Sequence, residues 1–314
     1  MAEWLLADVG ASHTRVALAT PAGLVPGTAQ TFQNAGFPGL APLLADYLAA
    51  REALPTTLCA GVAGPVSSGT AQLTNLDWFI DSRVLRNATG VSEVHLLNDL
   101  QAQAWALDDL APESVLQLVS GAPDPLGPRL VMGLGTGSNI AVAHRLGPRP
   151  FVPPSEAGHS SLPHMDEATN ALISALATDI PHKPYEALLS GPGLTRLHRL
   201  RTGTVLPPPE IVNAHVRGEA AATATLRVFA RLLGTVLGNL ALSHMATGGV
   251  FLIGGTARTL AAHLLSLGMR DCFTAKGPYT EILLAMPLTL IIDDHAAVTG
   301  CAHYLRQGTR PETR

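Results

Sequence analysis

Apolar and polar residues along this chain follow two periods, and the changes between them mark out its elements. Trp4 to Ala7 is an apolar run that ends in Asp8-Val9-Gly10-Ala11-Ser12-His13, and a second run, Thr14 to Ala19, follows; this predicts a hairpin with a small polar tip. Phe37 to Leu54 switches to helical spacing, with Leu40, Leu43, Leu44, Tyr47 and Leu48 on one face. Thr57 to Ala63 predicts a strand, Gly64-Pro65 and Ser67-Ser68-Gly69 predict turns, and Ser82 to Asn87 predicts a short helix. Val94 to Leu97 reads as a short buried strand that stops at Asn98-Asp99, where an amphipathic helix takes over at Leu100. A carboxylate is therefore presented where a strand hands over to a helix, the edge at which layered α/β proteins hold ligands. Asn and Asp are also preferred helix N-caps, and the dipeptide taken alone reads as a cap.

The second half repeats part of the first. Ala122 to Pro128 has the Pro/Gly/Asp composition of a linker. Leu130 to Ala143 then runs apolar strand, Gly135-Thr136-Gly137 loop, apolar strand, and Gly135 falls beneath Gly10 when the two hairpins are aligned, about 125 residues apart. Small-residue loops of this kind expose backbone N–H groups that can cradle a phosphate, although each copy alone is equally a plain turn. Neither is a Walker A loop, and a strand rather than a helix follows the glycines, so neither is a Rossmann fingerprint. Glu156 and His159 have the spacing of a carboxylate–histidine metal pair, but Pro153, Pro154 and Gly158 argue against the helix such a pair needs; polar recognition by a loop is the better reading. Helices are predicted over Asp166–Ala177, from a Ser190–Gly193 turn to Arg199, over Glu210–Arg217 and over Glu219–Met245. Gly249 to Ile253 predicts a strand running into Gly254-Gly255-Thr256, with a helix over Ala257–Leu267; a glycine-rich helix start lets a nucleotide approach closely, or simply lets helix and strand pack. A last strand, Leu288 to Ile292, leads through the capping pair Asp293-Asp294 to a final helix, Ala296 to Leu305.

Composition narrows the picture. The chain has 314 residues, 14% of them charged, with a net charge of −4 and no cluster of Lys and Arg, which excludes nucleic acid as the expected partner. Cys59, Cys272 and Cys301 lie far apart with no CxxC, so neither a disulfide framework nor a structural zinc site is expected, and a reducing cytoplasm is. The first residues carry no basic stretch and Asp8 interrupts their apolar run, so no signal peptide is expected. Leu232 to Ile253 has no Asp, Glu, Lys or Arg, yet Asn239, Ser243, His244 and Gly248-Gly249 break it up; a buried helix followed by a buried strand is expected rather than a membrane span.

Seven strings, in order and with matching spacing, resemble those of the bacterial ATP-dependent glucokinases. They are DVGASHTRVAL from Asp8, LTNLDW from Leu73, LLNDLQAQ from Leu96, GLGTGSN from Gly133, SEAGH from Ser155, EALLSGPGL from Glu186 and GGVFLIGG from Gly248. The zinc-binding cysteine cluster of the ROK branch of sugar kinases has no counterpart, which points to the zinc-free branch. The resemblance implies an α/β, two-lobed, actin-like ATPase fold of the hexokinase type, each lobe a mixed β-sheet with helices and the active site in the interdomain cleft. A small domain of residues 1–109 plus 296–314 and a large domain of residues 110–295 follow from it. It also implies Mg-ATP and glucose as substrates, a homodimer, and no membrane or nucleic-acid partner.

Roles carry over to matching positions. Asp99 would be the catalytic base at the sugar 6-hydroxyl, Asn98 would hold neighbouring hydroxyls, and Glu156, His159 and Glu186 would bind the rest, with Asn75 a further candidate. Asp8, Gly10, Ala11 and Ser12 on one hairpin and Gly133, Gly135, Thr136 and Gly137 on the other would hold the phosphates, with Asp8 close to Mg²⁺. Gly254 and Gly255 would lie against the adenosine. Carboxylates and Asn suit the hydroxyl edge of a hexose, and phosphoryl transfer needs mainly positioning and charge neutralisation. Some positions depart from the family. Ala11 stands where Gly is usual, so a left-handed backbone there would cost about 1 kcal/mol or more. Ser12, His13, Asn139 and Ala157 also replace the usual residues. Two alternatives to a glucokinase follow: a sugar-binding regulatory protein with weak or no kinase activity, or a kinase of another hexose.

Overall fold

The structure, a computed structural model, describes residues 3–51, 54–73, 76–147 and 149–308. Asn75 lies outside the described residues, as do residues 309–314. The chain divides into two compact units: Met1–Pro112, Gly147–Pro154 and Asp293–Arg314 form unit 1, and Glu113–Leu146 with Ser155–Ile292 form unit 2.

Unit 1 is built on β1 (Trp4–Val9), all six residues of which are buried. It pairs antiparallel with β2 (His13–Thr20), from which β3 (Gly23–Leu24) and β4 (Gln30–Gln33) extend. On its other edge β1 runs parallel to β5 (Thr57–Val62). β6 (Val66–Ser67), β7 (Thr70–Gln72) and β8 (Phe79–Asp81) form a small separate sheet around the turn expected at Ser67-Ser68-Gly69. β9 (Glu93–Asn98) returns to the main sheet, parallel to β5. Period-two alternation turns Leu5, Ala7, Val9, Leu58, Ala60 and Val62 to one face. There they pack with Leu40, Leu43 and Leu44 of α1 (Leu40–Ala49) and Leu85 of α2 (Ser82–Thr89). α1 is shorter than the Phe37 to Leu54 periodicity predicts, because Pro38-Gly39 delays its first turn and Gly39 serves as an extended N-cap.

The same alternation turns Asp8 and Gly61 to the opposite face. It is covered by α3 (Asp99–Ala106) and by a closing helix, Ala296–Gly308, so that Gly61 lies against Ala102 and Cys301. These two helices approach backbone to backbone: a Cβ on Gly300 would overlap the carbonyl oxygen of Ala102. Trp105 stacks edge-on against Tyr304 at 5.4 Å beside this crossing. Asp109, just past α3, pairs with His303 at 3.3 Å and with Arg306.

Unit 2 reuses the plan. Its sheet runs β10 (Val115–Val119), β14 (Leu288–Ile291), β13 (Gly249–Ile253), β11 (Arg129–Leu134), β12 (Ser138–Ala143). β11 and β12 form an antiparallel hairpin, and β13 and β14 follow in parallel, just as β5 and β9 follow β1 and β2. The repeat read from Gly10 and Gly135 is thus a repeat of topology. β10 shows no clear period because it is an edge strand with Leu116 and Gln117 exposed. α4 (Glu167–Ala175), α5 (Gly191–Thr202) and α6 (Pro208–Val216) precede α7 (Ala220–His244), which is long and apolar enough by composition to cross a membrane. Here Phe229, Leu233, Val236 and Leu237 of α7 are fully buried in the core of unit 2. α8 (Gly255–Leu264), α9 (Met269–Thr274) and α10 (Thr280–Ala285) complete the unit. The Ser190–Gly193 segment is no separate turn: Ser190 caps α5 by accepting the Gly193 N–H at 3.0 Å, with Pro192 in the first turn.

Because Gly300 leaves no room for a Cβ, Gly300→Ala is expected to destabilise unit 1 by about 1–3 kcal/mol through overpacking. Thermal unfolding reads this as a lowered Tm. Adding Ala102→Gly should not restore it, since the overlap is with the Ala102 backbone; an unchanged Tm for Gly300→Ala would count against the crossing.

Candidate active site

In unit 1, β9 delivers Asn98 and Asp99 to the first turn of α3. Asn98 is the N-cap, 9% exposed, and its Oδ1 accepts the Leu100 N–H at 3.0 Å. Its Nδ2 donates to the Gly64 carbonyl at 3.2 Å. Gln101 closes a capping box by accepting the Asn98 N–H at 3.1 Å, and its Nε2 donates to the Val152 carbonyl at 2.9 Å. That last bond ties Gly147–Pro154, which belongs to unit 1, to the start of α3. Asp99 is half-buried, with Oδ1 accepting the Leu100 N–H at 2.9 Å. Capping and a ligand-facing carboxylate are compatible here because the cap is Asn98 and the carboxylate is the next residue.

Asp8 stands opposite Arg15 in the β1–β2 register, and its Oδ2 accepts from Arg15 Nη1 at 3.2 Å. Arg15 also reaches Asp294, at 4.0 Å. Asp8 is 8% exposed, and burial pushes its carboxyl above the usual carboxylate range; the Arg15 guanidinium pulls it back down, followed by the weaker effect of His295. The hairpin tip that follows is braced by Asn34, a buried residue on which the sequence gives no hint. Asn34 Nδ2 donates to the Gly10 carbonyl at 2.8 Å, its N–H donates to the Ser12 carbonyl at 2.9 Å, and its Oδ1 accepts from Thr14 Oγ1 at 2.8 Å. Ala11 keeps a negative φ, so the residue that replaces the usual glycine incurs no left-handed strain. Asn139 and Ala157 likewise keep negative φ.

In unit 2, Gly133 ends up within β11, while Gly135, Thr136 and Gly137 form the tip of the second hairpin. Gly135 anchors it: its carbonyl accepts from the Gly191 N–H at 2.8 Å and from Thr256 Oγ1 at 3.2 Å, which ties the tip to the starts of α5 and α8. Gly254 has φ 105 and no space for a Cβ against the Leu134 carbonyl, so the turn into α8 requires glycine, and the helix begins at Gly255, earlier than expected. Glu186 lies in the short turn Tyr185–Ala187, and its Oε2 accepts the Ser138 N–H at 2.9 Å. It is therefore no solvated surface residue but a carboxylate seated against the tip. A cavity of about 240 Å³ in this unit is lined by Thr136, His159, His182, Glu186, Ser190 and Arg196. Three expected site residues thus share one cavity, and His182 and Arg196 are additions that their sequence context did not mark. Glu156 is exposed, and its Oε2 accepts from Asn139 Nδ2 at 3.0 Å.

Chemically, unit 1 offers a half-buried carboxylate beside a buried amide, and unit 2 offers carboxylates and a histidine next to a glycine-rich tip. The unit 2 set by itself, acceptor carboxylates and a histidine beside a tip rich in backbone N–H groups, suits a polyhydroxylated ligand and a phosphate. The comparisons agree. The Glucokinase family model matches residues 5–308. A glucokinase-like protein of Xylella fastidiosa is 34% identical, over 96% of this chain and 94% of its own length. A glucokinase of Chromobacterium violaceum is 33% identical, over 98% of this chain and 91% of its own. The crystal structure of a glucokinase from an Antarctic psychrotroph superposes with a TM-score of 0.87 at 30% identity, over 97% of this chain and 98% of that one. With the family match running from β1 to the closing helix, the chain belongs to the glucokinase family of ATP-dependent sugar kinases.

Proposed function

We propose that this protein transfers the γ-phosphoryl group of Mg-ATP to the 6-hydroxyl of glucose, giving glucose 6-phosphate and ADP. The observation that carries the reading is the unit 2 cavity, where Thr136 of the glycine-rich tip lines the same space as His159 and Glu186. Phosphate-binding and hydroxyl-binding groups side by side are what a sugar kinase needs. In this reading Glu156, His159 and Glu186 accept from and donate to the glucose hydroxyls, and Asn98 contributes the amide hydrogen it does not use on Gly64. Asp99 orients the 6-hydroxyl and takes its proton as the new O–P bond forms, with the ADP oxygen as leaving group. In a loose transition state that proton leaves late, so orientation matters as much as basicity.

The two hairpin tips hold the phosphates, Gly10, Ala11 and Ser12 on one and Gly135, Thr136 and Gly137 on the other, and Gly254-Gly255 leaves room for the adenosine. Mg²⁺ accompanying the nucleotide supplies charge neutralisation on the phosphates. The donor set at Asp8 fits it: one carboxylate oxygen is engaged by Arg15, and Oδ1 is left to meet a hydrated cation. The negative φ at Ala11 removes the backbone strain that would have counted against nucleotide binding at this tip.

A coupled assay with Mg-ATP and a panel of hexoses tests the reading, with glucose expected to be the best substrate; no turnover with glucose would sink it. Asp99→Asn is expected to lower kcat by roughly 10²–10⁴-fold while glucose still binds. A kcat within about tenfold of wild type would remove Asp99 from the role of base. Asp8→Asn should abolish most activity yet raise the Tm at neutral pH. Burial disfavours the ionised carboxylate in the folded state, so stability is lost as pH rises through the raised pKa of Asp8. The stabilisation by Asn should therefore fade as pH falls below about 4, the unfolded value, where Asp8 is neutral in both states. A Tm difference that persists at low pH would contradict it.

A further inference from the structure

Asn139, directly after Ser138 at the start of β12, carries a side chain with a full set of partners. Ile140 and Val142 of β12 face the core, so alternation turns Asn139 the other way, toward the segment Ser155–His159. Asn139 Nδ2 donates to the Ser155 carbonyl at 2.7 Å and to Glu156 Oε2 at 3.0 Å. Asn139 Oδ1 accepts the Gly158 N–H at 3.3 Å and the Ile140 N–H at 2.8 Å. One amide thus spans the segment from its first residue to its fourth. Glu156 itself is exposed, and as N-cap of the turn Ala157–His159 it makes no side-chain capping bond. Among the described residues, Asn139 is the side chain bonded to its carboxylate. An exposed glutamate held by nothing would spread over several rotamers and lose that freedom on binding a ligand. The preceding residue completes the pattern, because the Ser138 N–H holds Glu186.

We propose that Asn139 is a positioning residue for sugar recognition. It fixes the Glu156 carboxylate, and the turn that carries His159, in the orientation that meets the sugar hydroxyls. With Ser138 it makes the start of β12 the common support of both sugar-binding carboxylates, directly after the glycines assigned to phosphate. This rests on the glucokinase reading above.

Two variants separate the role from general stability. Asn139→Asp keeps the acceptor oxygen for Gly158 and Ile140 but sets a carboxylate against Glu156; Asn139→Gly removes the side chain and with it all four of these bonds. Steady-state kinetics with wild type should show turnover of glucose, and both variants should raise the glucose KM by roughly tenfold or more, the scale of one hydrogen bond to a charged group. The kcat and the KM for Mg-ATP should stay within about twofold. A glucose KM within about twofold of wild type in Asn139→Gly would overturn the role, as would equal losses in kcat and both KM values. Should Asn139→Asp fail to fold, Asn139→Gly alone decides. Amide hydrogen exchange over residues 155–159 gives a second readout: faster in Asn139→Asp, and slowed again when Glu156→Gln is added, since the new amide can donate to the carboxylate at position 139. Exchange unchanged by Asn139→Asp, or not slowed by the second change, overturns the proposal. A wild-type protein inert toward glucose would overturn the functional reading and this role with it, whereas normal wild-type turnover with unshifted variants overturns the role alone.

Discussion

The first turn of α3 is the constraint on which the rest of unit 1 depends. A helix N-terminus has unpaired N–H groups, and here the Leu100 N–H is met by both the Asn98 and the Asp99 side chains. That arrangement places a carboxylate correctly only if the turn cannot move. Three bonds fix it to neighbouring backbone: Asn98 to Gly64, Gln101 to the Asn98 N–H, and Gln101 to Val152. Behind it, the closing helix meets α3 at Gly300 with no side chain between them. The outcome is a carboxylate on a rigid element, held by polar bonds in front and by close packing behind, which is the condition for orienting a hydroxyl rather than merely attracting it.

The two hairpins solve one problem with different residues. Both tips project from strands that lie buried in a sheet, so each needs a brace beyond the sheet itself. The first is braced by buried Asn34, whose side-chain amide bonds the Gly10 carbonyl and whose backbone N–H bonds the Ser12 carbonyl. The second is braced by several partners: Gly191 and Thr256 at Gly135, Glu186 at Ser138, and Asn139 against the Ser155 segment. Topology is repeated between the units, but support is local, and it comes from whatever the adjoining loops supply.

This division also explains what the chain disclosed before its fold was known. Continuous apolar runs such as Trp4–Ala7 and Leu130–Leu134 gave away the hairpins, because a strand buried on both faces imposes that composition on its own residues. The Asn98-Asp99 junction was visible for the same reason: a change of period marks it. Asn34 was not, because its importance lies in a pairing across two strands that no local pattern encodes. Asn139 looked like a mere departure from glycine, since its partners lie on a separate loop. β10 was missed because an exposed edge strand need not alternate, and α9 and α10 because six residues are too few to show a helical period. The roles of Asn98, Glu156, His159 and Glu186 came from resemblance rather than from any period.

The closing helix has a bearing on how the protein is made. Unit 1 is discontinuous, and about 190 residues separate the end of α3 at Ala106 from the start of the helix that packs on it at Ala296. On the ribosome, all of unit 2 has therefore been synthesised before Gly300 can dock onto Ala102. Until then the face of the sheet bearing Asp8, Cys59 and Gly61 has only α3 for cover, and α3 lacks the helix that packs behind it at Ala102. Domains generally fold as units during synthesis. Here the unit that begins first is completed last, so the nascent chain carries an incompletely covered half-site until its final helix emerges.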